Sequence, residues 1–291
     1  MAEDDLTQIT MIFIDEVQQV EEAVKILIEK EILSLTCQRH NNRSDPLDLI
    51  FIGARDWKVY VFDVTVLGAR LFDAGLRGVL EKRDLVKLMF DCREDADALL
   101  KLHNTQLSGV LDVQLMEILH RRSTSSQNNP KKYQVYKLWT LKRCTRQFVQ
   151  LAPSYYYRSD YHETNLWAAR PVDFELITFW AKRTMHLIPL FQELKTYPTI
   201  DLDLLTEASR RSLDHVRSYL VYPADRYIQH CYLPLGILDV HSDGAVTSYQ
   251  CDGCLKILPE EAFNMEPTVQ KCKVCSKVDK NYGRIEEFNQ D

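Results

Sequence analysis

The chain has 291 residues, of which 45% are apolar and 27% are charged, and its formal net charge is −6. This composition predicts a globular protein with one core of about 200 residues and a smaller second unit. No apolar run reaches the roughly 18 residues of a membrane span, and the acidic start at residues 1–5 is unlike a secretory signal; we therefore expect no membrane partner and a cytoplasmic location, with a nuclear one left open.

The first predicted element is an amphipathic helix over residues 15–30, with Asp15 as its cap. Three short strands follow, and the polar stretches between them predict hairpins and antiparallel pairing. The strands are predicted at residues 32–37, 47–53 and 58–63. Helices and strands then alternate, in the order helix 74–82, strand 85–90, helix 93–102, strand 107–111 and helix 112–121. This order predicts an α/β fold whose mixed sheet carries helices on both faces.

A polar linker at residues 123–130 leads into a stretch that is predicted to be helical as far as residue 232. Residues 118–159 contain nine Lys or Arg and no acid, so this segment carries +9 and leaves −15 for the remainder of the chain. Cations mixed with aromatic rings are typical of a surface for single-stranded nucleic acid. Composition favours equally a solvated helix that docks on the acidic rest of the protein. The candidate RNA-binding residues are Arg121, Arg122, Lys131, Lys132, Tyr133, Tyr136, Lys137, Trp139, Lys142, Arg143, Arg146, Tyr155, Tyr156, Tyr157 and Arg158.

Two Cys-x-x-Cys hooks near the C-terminus predict a structural Zn²⁺ site. The four candidate ligands are Cys251, Cys254, Cys272 and Cys275, and 17 residues separate the two hooks. Four thiolates fill a tetrahedral site and leave no position for catalysis. A redox dithiol pair is the alternative, but the surroundings lack a thioredoxin-like pattern. The other four cysteines are scattered among apolar residues, so we predict no disulfide framework.

In the order of its elements the chain resembles the ribonuclease D type of DEDD 3′-5′ exonuclease, in particular the Egalitarian-like branch of exonuclease 3′-5′ domain-containing proteins. The resemblance covers residues 10–195, and its local marks are Phe90–Leu99, Leu111–Gln114, Trp167–Pro171 and Leu187–Leu190. It implies a ribonuclease H-like domain over residues 1–198, with a basic helical insertion at 118–158. A helical extension at 199–240 and a four-cysteine zinc ribbon at 241–291 complete the predicted organisation.

The resemblance also places the residues of an active site. Enzymes of this family hydrolyse phosphodiesters with two divalent ions that four carboxylates hold. The four carboxylate positions fall on Thr36, Gln38, Asp95 and Arg183, and an expected tyrosine is replaced by Phe179. Because three of the four ligands are absent, the resemblance implies a degenerate centre without catalytic Mg²⁺.

Two alternatives stay open for this centre. Residues 222–225, Tyr-Pro-Ala-Asp, contain both residue types of the third motif, but their spacing is three and Pro223 interrupts the helix. Asp91, Glu94 and Asp97 could join Asp95 in a substitute metal site, although acids at the start of a helix are more often capping groups. Arg183 is expected to pair with Asp95 or to neutralise a phosphate, unless the alignment is off by one residue and Arg183 is a plain surface residue.

The resemblance therefore implies a catalytically inactive, exonuclease-fold adaptor that binds single-stranded RNA in a ribonucleoprotein or small-RNA pathway of the piRNA type, with ribonucleoprotein granules as one location. An active 3′-5′ exoribonuclease with displaced carboxylates is one alternative, and a protein-interaction scaffold without nucleic acid is another. A homodimer also fits the resemblance, although no heptad seam supports it.

Overall fold

A computed structural model describes residues 9–39, 45–124, 133–149, 167, 169–217, 225–227, 230–239, 247–264 and 270–281. Its contacts divide the chain into two compact units. Unit 1 comprises residues 1–117 and 140–216, and unit 2 comprises residues 118–139 and 217–291. Each unit therefore combines two separate stretches of the chain.

A six-stranded mixed sheet is the centre of unit 1. Its strands are β1 (Thr10–Ile14), β2 (Ile32–Arg39), β3 (Leu47–Ala54), β4 (Lys58–Asp63), β5 (Val86–Met89) and β6 (Val110–Asp112). They lie in the order β1-β4-β3-β2-β5-β6. β2, β3 and β4 pair antiparallel, whereas β1 runs parallel to β4, and β5 runs parallel to both β2 and β6. Every residue of β3 is buried, because both faces of this central strand are covered.

Helices surround the sheet and connect its strands. They are α1 (Val17–Leu27), α2 (Val64–Leu67), α3 (Ala69–Leu71), a π-helical turn (Phe72–Leu76), α4 (Arg77–Glu81), α5 (Arg93–His103), α6 (Val113–Thr124), α7 (Leu141–Phe148), α8 (Phe174–Met185), α9 (Leu187–Lys195) and α10 (Leu202–Arg217). The division between the units falls within α6. None of the described helices is both long and apolar enough to pass through a lipid bilayer.

Gly53 lets α8 approach the sheet closely. A Cβ at this position would lie 2.5 Å from the Sδ of Met185 and 2.5 Å from the Oγ of Ser34, so both side chains would have to move. The glycine therefore makes room for the side chain of Met185, at the end of α8, to lie directly on β3.

The mixed α/β fold, the antiparallel meander β2–β3–β4 and the later alternation of helices and strands are confirmed. Three local predictions are wrong. The first element is the strand β1, and Glu16 rather than Asp15 caps α1. Residues 74–82 do not form one helix, because Gly75, with a φ of 113°, breaks the helical backbone inside the π-helical turn, and α4 begins only at Arg77.

Residues 133–139 contain no helix, although the sequence predicts one there. Lys137 instead forms an antiparallel bridge with Tyr232, and the amides of Leu138 and Leu233 donate to the carbonyls of Cys231 and Tyr136. These long-range backbone bonds hold the segment extended. The predicted basic helical insertion is therefore wrong for this part of the chain.

Unit 2 has a small core of its own. Its described residues form, besides the end of α6, β7 (Ser248–Gln250), β8 (Ile257–Pro259), α11 (Lys273–Asn281) and two short 3-10 turns at Asp225–Tyr227 and Glu260–Ala262. β7 and β8 form an antiparallel hairpin. The four cysteines of the two hooks lie at the centre of the unit, among buried aromatic and aliphatic residues that include Tyr133. This division differs from the predicted domain boundaries, since residues 118–139 join the cysteine module and residues 199–216 belong to unit 1.

Candidate functional site

The two hydroxyl groups of Thr36 and Thr184 meet where β2 faces α8. Their Oγ1 atoms are 2.6 Å apart, and Thr184 also bonds the carbonyl of Trp180 at 2.8 Å. A hydroxyl has one proton, so Thr184 donates to Trp180 and accepts from Thr36. The bond fastens α8 to β2 with two uncharged groups. Thr184 was not among the predicted residues, and only the close approach of α8 to β2 identifies it.

Gln38 lies two residues beyond Thr36 and therefore on the same face of β2. It is buried, with 9% of its surface exposed. Like Thr36, it contributes no charge. The two positions that the resemblance assigns to the first carboxylates thus lie together and are both neutral.

Asp95 lies in the first turn of α5, beside the edge of β2. The pairing of β2 with β5 ends at Ser34, and beyond it the amide of Cys37 donates to Oδ2 of Asp95 at 3.2 Å. An Nη2 of Arg39 lies 3.6 Å from Oδ1 of the same carboxylate. Asp95 is therefore paired with Arg39, and the predicted pairing with Arg183 is wrong.

The environment of Asp95 disfavours the ionised form of its carboxyl group. Burial raises the pKa of this carboxyl from its ordinary value to about 7, although the Arg39 guanidinium and the Cys37 amide lower it; the neighbouring Glu94 and Asp91 raise it again. A carboxyl in such surroundings gains or loses its proton near neutral pH.

Arg183 belongs to a small aromatic cluster on α8. Its guanidinium carbon lies 5.1 Å from the centre of the Trp180 ring. Trp180 makes edge-on contacts with Phe179 at 5.7 Å and with Trp167 at 6.0 Å between ring centres. Arg183, Phe179 and Trp180 are half-buried, so the cluster is partly open to solvent. The predicted replacement positions Phe179 and Arg183 are thus brought together.

The remaining acids near α5 are occupied in other ways. Asp91 makes a two-pronged ion pair with Arg93, with both N···O distances 2.6 Å. Asp97 pairs with Lys101 at 2.9 Å. Cys92 is the N-cap and makes no side-chain capping bond, so none of the predicted acids is the N-cap; Glu94 and Asp95 lie in the first turn, where the helix dipole favours acids. Among the described residues, no group of three or more carboxylates or histidines has the spacing of a metal site, and the substitute site is not formed.

Asp112 takes over the role of a cap at this end of the sheet. Its carboxylate accepts from the amides of Asp91, Cys92 and Gln114 at 3.0 to 3.1 Å. Burial and the nearby Asp91 raise its pKa to about 6, although the hydrogen bonds from the three amides lower it.

The alternative third motif at residues 222–225 lies largely outside the described residues. Tyr222 is not described, and Asp225 is described only as backbone.

The described RNA-binding candidates are divided between the two units. In unit 2, Arg121 donates to the carbonyl of Lys137 at 2.7 Å and lies over the ring of Trp139 at 5.0 Å. Arg122 donates to the carbonyl of Leu238 and lies 3.9 Å from Asp239. These two arginines brace the extended segment 133–139.

The aromatic candidates in unit 2 differ in how much of each side chain is exposed to solvent. Tyr133 is only 3% exposed, so it does not present a ring face to a base. Tyr136 and Trp139 are half-buried, and Lys137 is exposed. The predicted stacking role of Tyr133 is therefore wrong, because its ring is a core residue.

In unit 1, α7 carries the remaining described candidates. Thr140 caps it, and its apolar side is buried through Leu141 and Cys144. Arg143 and Arg146 are exposed on the opposite side, with Lys142 half-buried beside them. The other candidates, Lys131, Lys132, Tyr155, Tyr156, Tyr157 and Arg158, lie outside the described residues.

The four cysteines of unit 2 are placed as a metal site requires. Their Sγ atoms all lie within 4.8 Å of one another, and all four residues are buried. Tetrahedral Zn²⁺ at its usual Zn–S distance of about 2.3 Å would need sulfurs about 3.8 Å apart. The Sγ atoms of Cys254 and Cys272 are 4.0 Å apart. The cluster fits Zn²⁺ as a structural ion.

The backbone supports both hooks. The first hook follows β7, and the second lies at the start of α11. The amides of Cys272 and Cys275 donate to the sulfurs of Cys251 and Cys272 at 3.2 and 3.5 Å, which stabilises thiolate character. A Cβ on Gly253 would lie 2.9 Å from the Sγ of Cys275, so only glycine fits between the hooks. Hydrogen bonds from the neighbouring thiols, led by that of Cys254, lower the pKa of Cys251.

Comparisons with known proteins agree with this geometry. The chain is 26% identical over 227 residues to mouse piRNA biogenesis protein EXD1 and 27% identical over 227 residues to the human protein of that name. The match covers 75% of this chain in both cases, but only 38% of the mouse and 42% of the human protein. The chain thus spans well under half the length of these relatives. No protein-family model matches it.

Solved structures identify the fold. Ribonuclease D of Trypanosoma brucei bound to U12 RNA superposes with a TM-score of 0.63, at 19% identity, over 74% of this chain and 72% of that one. Its GMP complex gives a TM-score of 0.64, at 18% identity, over 73% and 66% of the two chains. The Nibbler exonuclease domain of Aedes aegypti gives 0.52, at 18% identity, over 64% and 87%. The fold is that of ribonuclease D-type 3′-5′ exonucleases.

Proposed function

We propose that this protein binds single-stranded RNA through an exonuclease fold without hydrolysing it, and that it serves as an adaptor in a small-RNA pathway of the piRNA type. The observation that carries the proposal is the neutral Thr36–Thr184 hydroxyl pair at the place where metal-binding carboxylates are expected. Two divalent ions need several anionic oxygens around them. Of the four positions that the resemblance assigns to carboxylates, Asp95 alone is an acid, and it is already paired with Arg39.

RNA binding is supported by the fold and by the charges of α7. A ribonuclease D neighbour of the same fold was solved in complex with U12 RNA. Arg143 and Arg146 project from α7 into solvent, where they would contact phosphates. The names of the mouse and human relatives support the proposed piRNA-type pathway. Cytoplasmic ribonucleoprotein complexes are the expected setting.

A charge-reversal experiment tests the binding surface. The variant Arg143→Glu/Arg146→Glu should weaken U12 RNA binding about 100-fold, because each lost phosphate contact and new repulsion costs on the order of 1 kcal/mol or more. The matched control Lys25→Glu/Lys58→Glu changes the net charge by the same amount at exposed sites on other elements. Equal losses of RNA affinity in both variants would mean that only net charge matters, and would refute α7 as the binding surface.

Hydrolysis needs its own assay, since an active exonuclease is the competing function that the fold favours. Labelled U12 RNA incubated with Mg²⁺ or Mn²⁺ should remain intact. An Asp95→Ala protein serves as the control, because a contaminating nuclease survives this substitution and an intrinsic one does not. Metal-dependent shortening that disappears in Asp95→Ala would establish an active enzyme.

The third function, a scaffold without nucleic acid, predicts a different preference. Its basic face would bind an acidic peptide as well as it binds RNA. We expect U12 RNA to displace such a peptide from the protein at far lower concentration than the peptide displaces RNA. The reverse order of displacement would favour the scaffold.

A further inference from the structure

Unit 2 carries a row of lysines on α11, the last helix of the cysteine module. Lys273, Lys277 and Lys280 are four and three residues apart, so they lie along one side of this helix. Another side of α11 buries Val274 and Val278 in the core around the cysteines. The lysines therefore project away from that core, and Lys277 and Lys280 are exposed to solvent.

The two exposed lysines differ in their contacts from a third lysine of the module. Lys271, just before α11, is paired with Asp279, with 2.6 Å between Nζ and Oδ2. Among the residues that the structure describes, Lys277 and Lys280 make no ion pair, and Lys277 contacts only the uncharged ring of Tyr232. The end of α11 thus presents two positive charges that no described carboxylate neutralises.

Tyr232 joins the end of α11 to a second segment of unit 2. The Nζ of Lys277 lies 5.8 Å from the centre of the Tyr232 ring, and the Nδ2 of Asn281 donates to the Tyr232 hydroxyl at 2.8 Å. Tyr232 also forms the antiparallel bridge with Lys137. Residues paired in this way place their side chains on the same side, with Cβ atoms about 5 Å apart. The exposed side chain of Lys137 therefore begins beside the end of α11.

An aromatic ring lies on the same segment as Lys137. Trp139 follows two residues later in the extended stretch, so the two side chains leave the backbone on the same side. Trp139 is half-buried, with the guanidinium of Arg121 5.0 Å from the centre of its ring. Cations beside a partly open aromatic ring suit a single RNA strand better than an acidic peptide, because phosphates meet the cations while a base can stack on the ring.

We propose that unit 2 has a second contact surface for single-stranded RNA, in which Lys277 and Lys280 of α11 bind backbone phosphates beside Lys137. This inference rests on the proposed RNA-binding function and adds a surface on the cysteine module to the one on α7. A lysine ammonium binds phosphate as a compact point charge and reads no base, so the contact adds affinity without sequence preference.

Affinity measurements on the full, zinc-loaded chain test this surface. Lys277→Gln/Lys280→Gln should weaken U12 RNA binding about 10-fold and make the plot of log affinity against log salt less steep by about 1.4, since each phosphate contact in a single strand contributes about 0.7. Lys277→Arg/Lys280→Arg keeps both charges and should keep the salt dependence. The matched control Lys25→Gln/Lys58→Gln removes two exposed lysines from α1 and β4 and should change neither quantity.

Chemical labelling locates the contact independently of any substitution. Acetic anhydride acylates exposed lysines, and mass spectrometry of the peptides gives the rate at each position. U12 RNA should slow the acylation of Lys277 and Lys280 and leave the rates at Lys25 and Lys58 unchanged.

Zinc content and thermal unfolding show whether unit 2 stays folded in each variant. If the double variant does not fold, Lys280→Gln alone leaves the contact between Lys277 and Tyr232 in place. This single variant should still make the salt dependence less steep by about 0.7.

The possible failures separate the two claims. Wild-type protein and Lys277→Gln/Lys280→Gln that bind U12 RNA with the same affinity and salt dependence would refute the α11 surface and leave RNA binding through α7 intact. An equal loss in the Lys25→Gln/Lys58→Gln control would also refute it. So would a double variant that keeps U12 binding and loses binding of a polyglutamate peptide, because the surface would then serve a protein partner. Wild-type protein that binds no U12 RNA would overturn the proposed function together with this inference.

Discussion

The two units of this protein are stabilised in different ways. Unit 1 buries a six-stranded sheet under helices, and residues such as Leu35, Phe51 and Phe62 are fully shielded from solvent. Unit 2 has two three-residue strands and a small core whose centre is four cysteines. A large apolar core folds without help, whereas a small one usually needs a metal or a crosslink. We therefore expect the folding of unit 2 to depend on a bound metal ion and the folding of unit 1 to be independent of it.

The largest expected effect is loss of the metal. Cys251→Ser should abolish tight Zn²⁺ binding and unfold unit 2, since structural zinc contributes about 10 to 16 kcal/mol in comparable small modules. Zinc content and limited proteolysis would show new cleavage within residues 133–139 and 247–281. Unit 1 should keep its own unfolding transition. Cys231→Ser, outside the four-sulfur cluster, is the control and should retain zinc.

Truncation of a core side chain in unit 1 should destabilise unit 1 and leave zinc binding in unit 2 intact. Phe51→Ala empties a fully buried position on β3 and should lower the free energy of unfolding of unit 1 by about 3 to 5 kcal/mol. Denaturant unfolding and zinc content, measured together, test this. Val66→Ala, at a position that is 46% exposed, should change little. Zinc loss at the same denaturant concentration as the unfolding of unit 1 would contradict independent stabilisation.

The pH dependence of unit 1 should come partly from Asp95. Its pKa is raised in the folded state, so the folded protein holds this proton more tightly than the unfolded chain does. Stability should therefore fall as the pH rises from about 4 to about 7. Asp95→Asn should remove on the order of 2 kcal/mol of this decline, since each unit of pKa difference corresponds to about 1.4 kcal/mol and solvent screens part of it.

Chemical denaturation at several pH values measures that decline. Asp73→Asn, which removes a carboxyl that is 70% exposed, is the matched control and should follow the wild-type profile. An Asp95→Asn profile that is parallel to the wild type would show that Asp95 does not titrate in this range.

The smallest effect concerns the bond between β2 and α8. A double-mutant cycle with Thr36→Val and Thr184→Val should give a coupling of about 1 kcal/mol, the usual contribution of one partly buried hydrogen bond. The same substitutions should leave zinc binding in unit 2 unchanged. Additive effects of the two substitutions would mean that the hydroxyl contact does not stabilise unit 1.

Local sequence patterns were sufficient to predict most of the strands and helices of unit 1. The apolar alternation of residues 32–63 predicted the three-stranded meander, and the start of α5 at Arg93 was predicted correctly. The strand β1 was missed because four apolar residues in a row, Met11 to Ile14, have no periodicity that separates a strand from a helix. It became a strand because it could pair with β4.

Motif positions in the candidate site were predictable, but their partners were not. The resemblance assigned Thr36, Asp95 and Arg183 to the expected metal-binding positions. That Asp95 pairs with Arg39, and that Thr36 bonds Thr184, depends on how α5 and α8 meet the sheet. These contacts join residues far apart in the chain, and no local window contains them.

The sequence by itself determined the α/β fold and the two cysteine hooks. Only the tertiary structure decided that the basic segment is shared between two units and that Arg121, Arg122 and Tyr133 serve the core of unit 2. The physical reason is that periodicity and spacing record the environment of each residue along the chain. The choice of a contact partner depends on packing, which brings distant segments together and satisfies their charges and hydrogen bonds collectively.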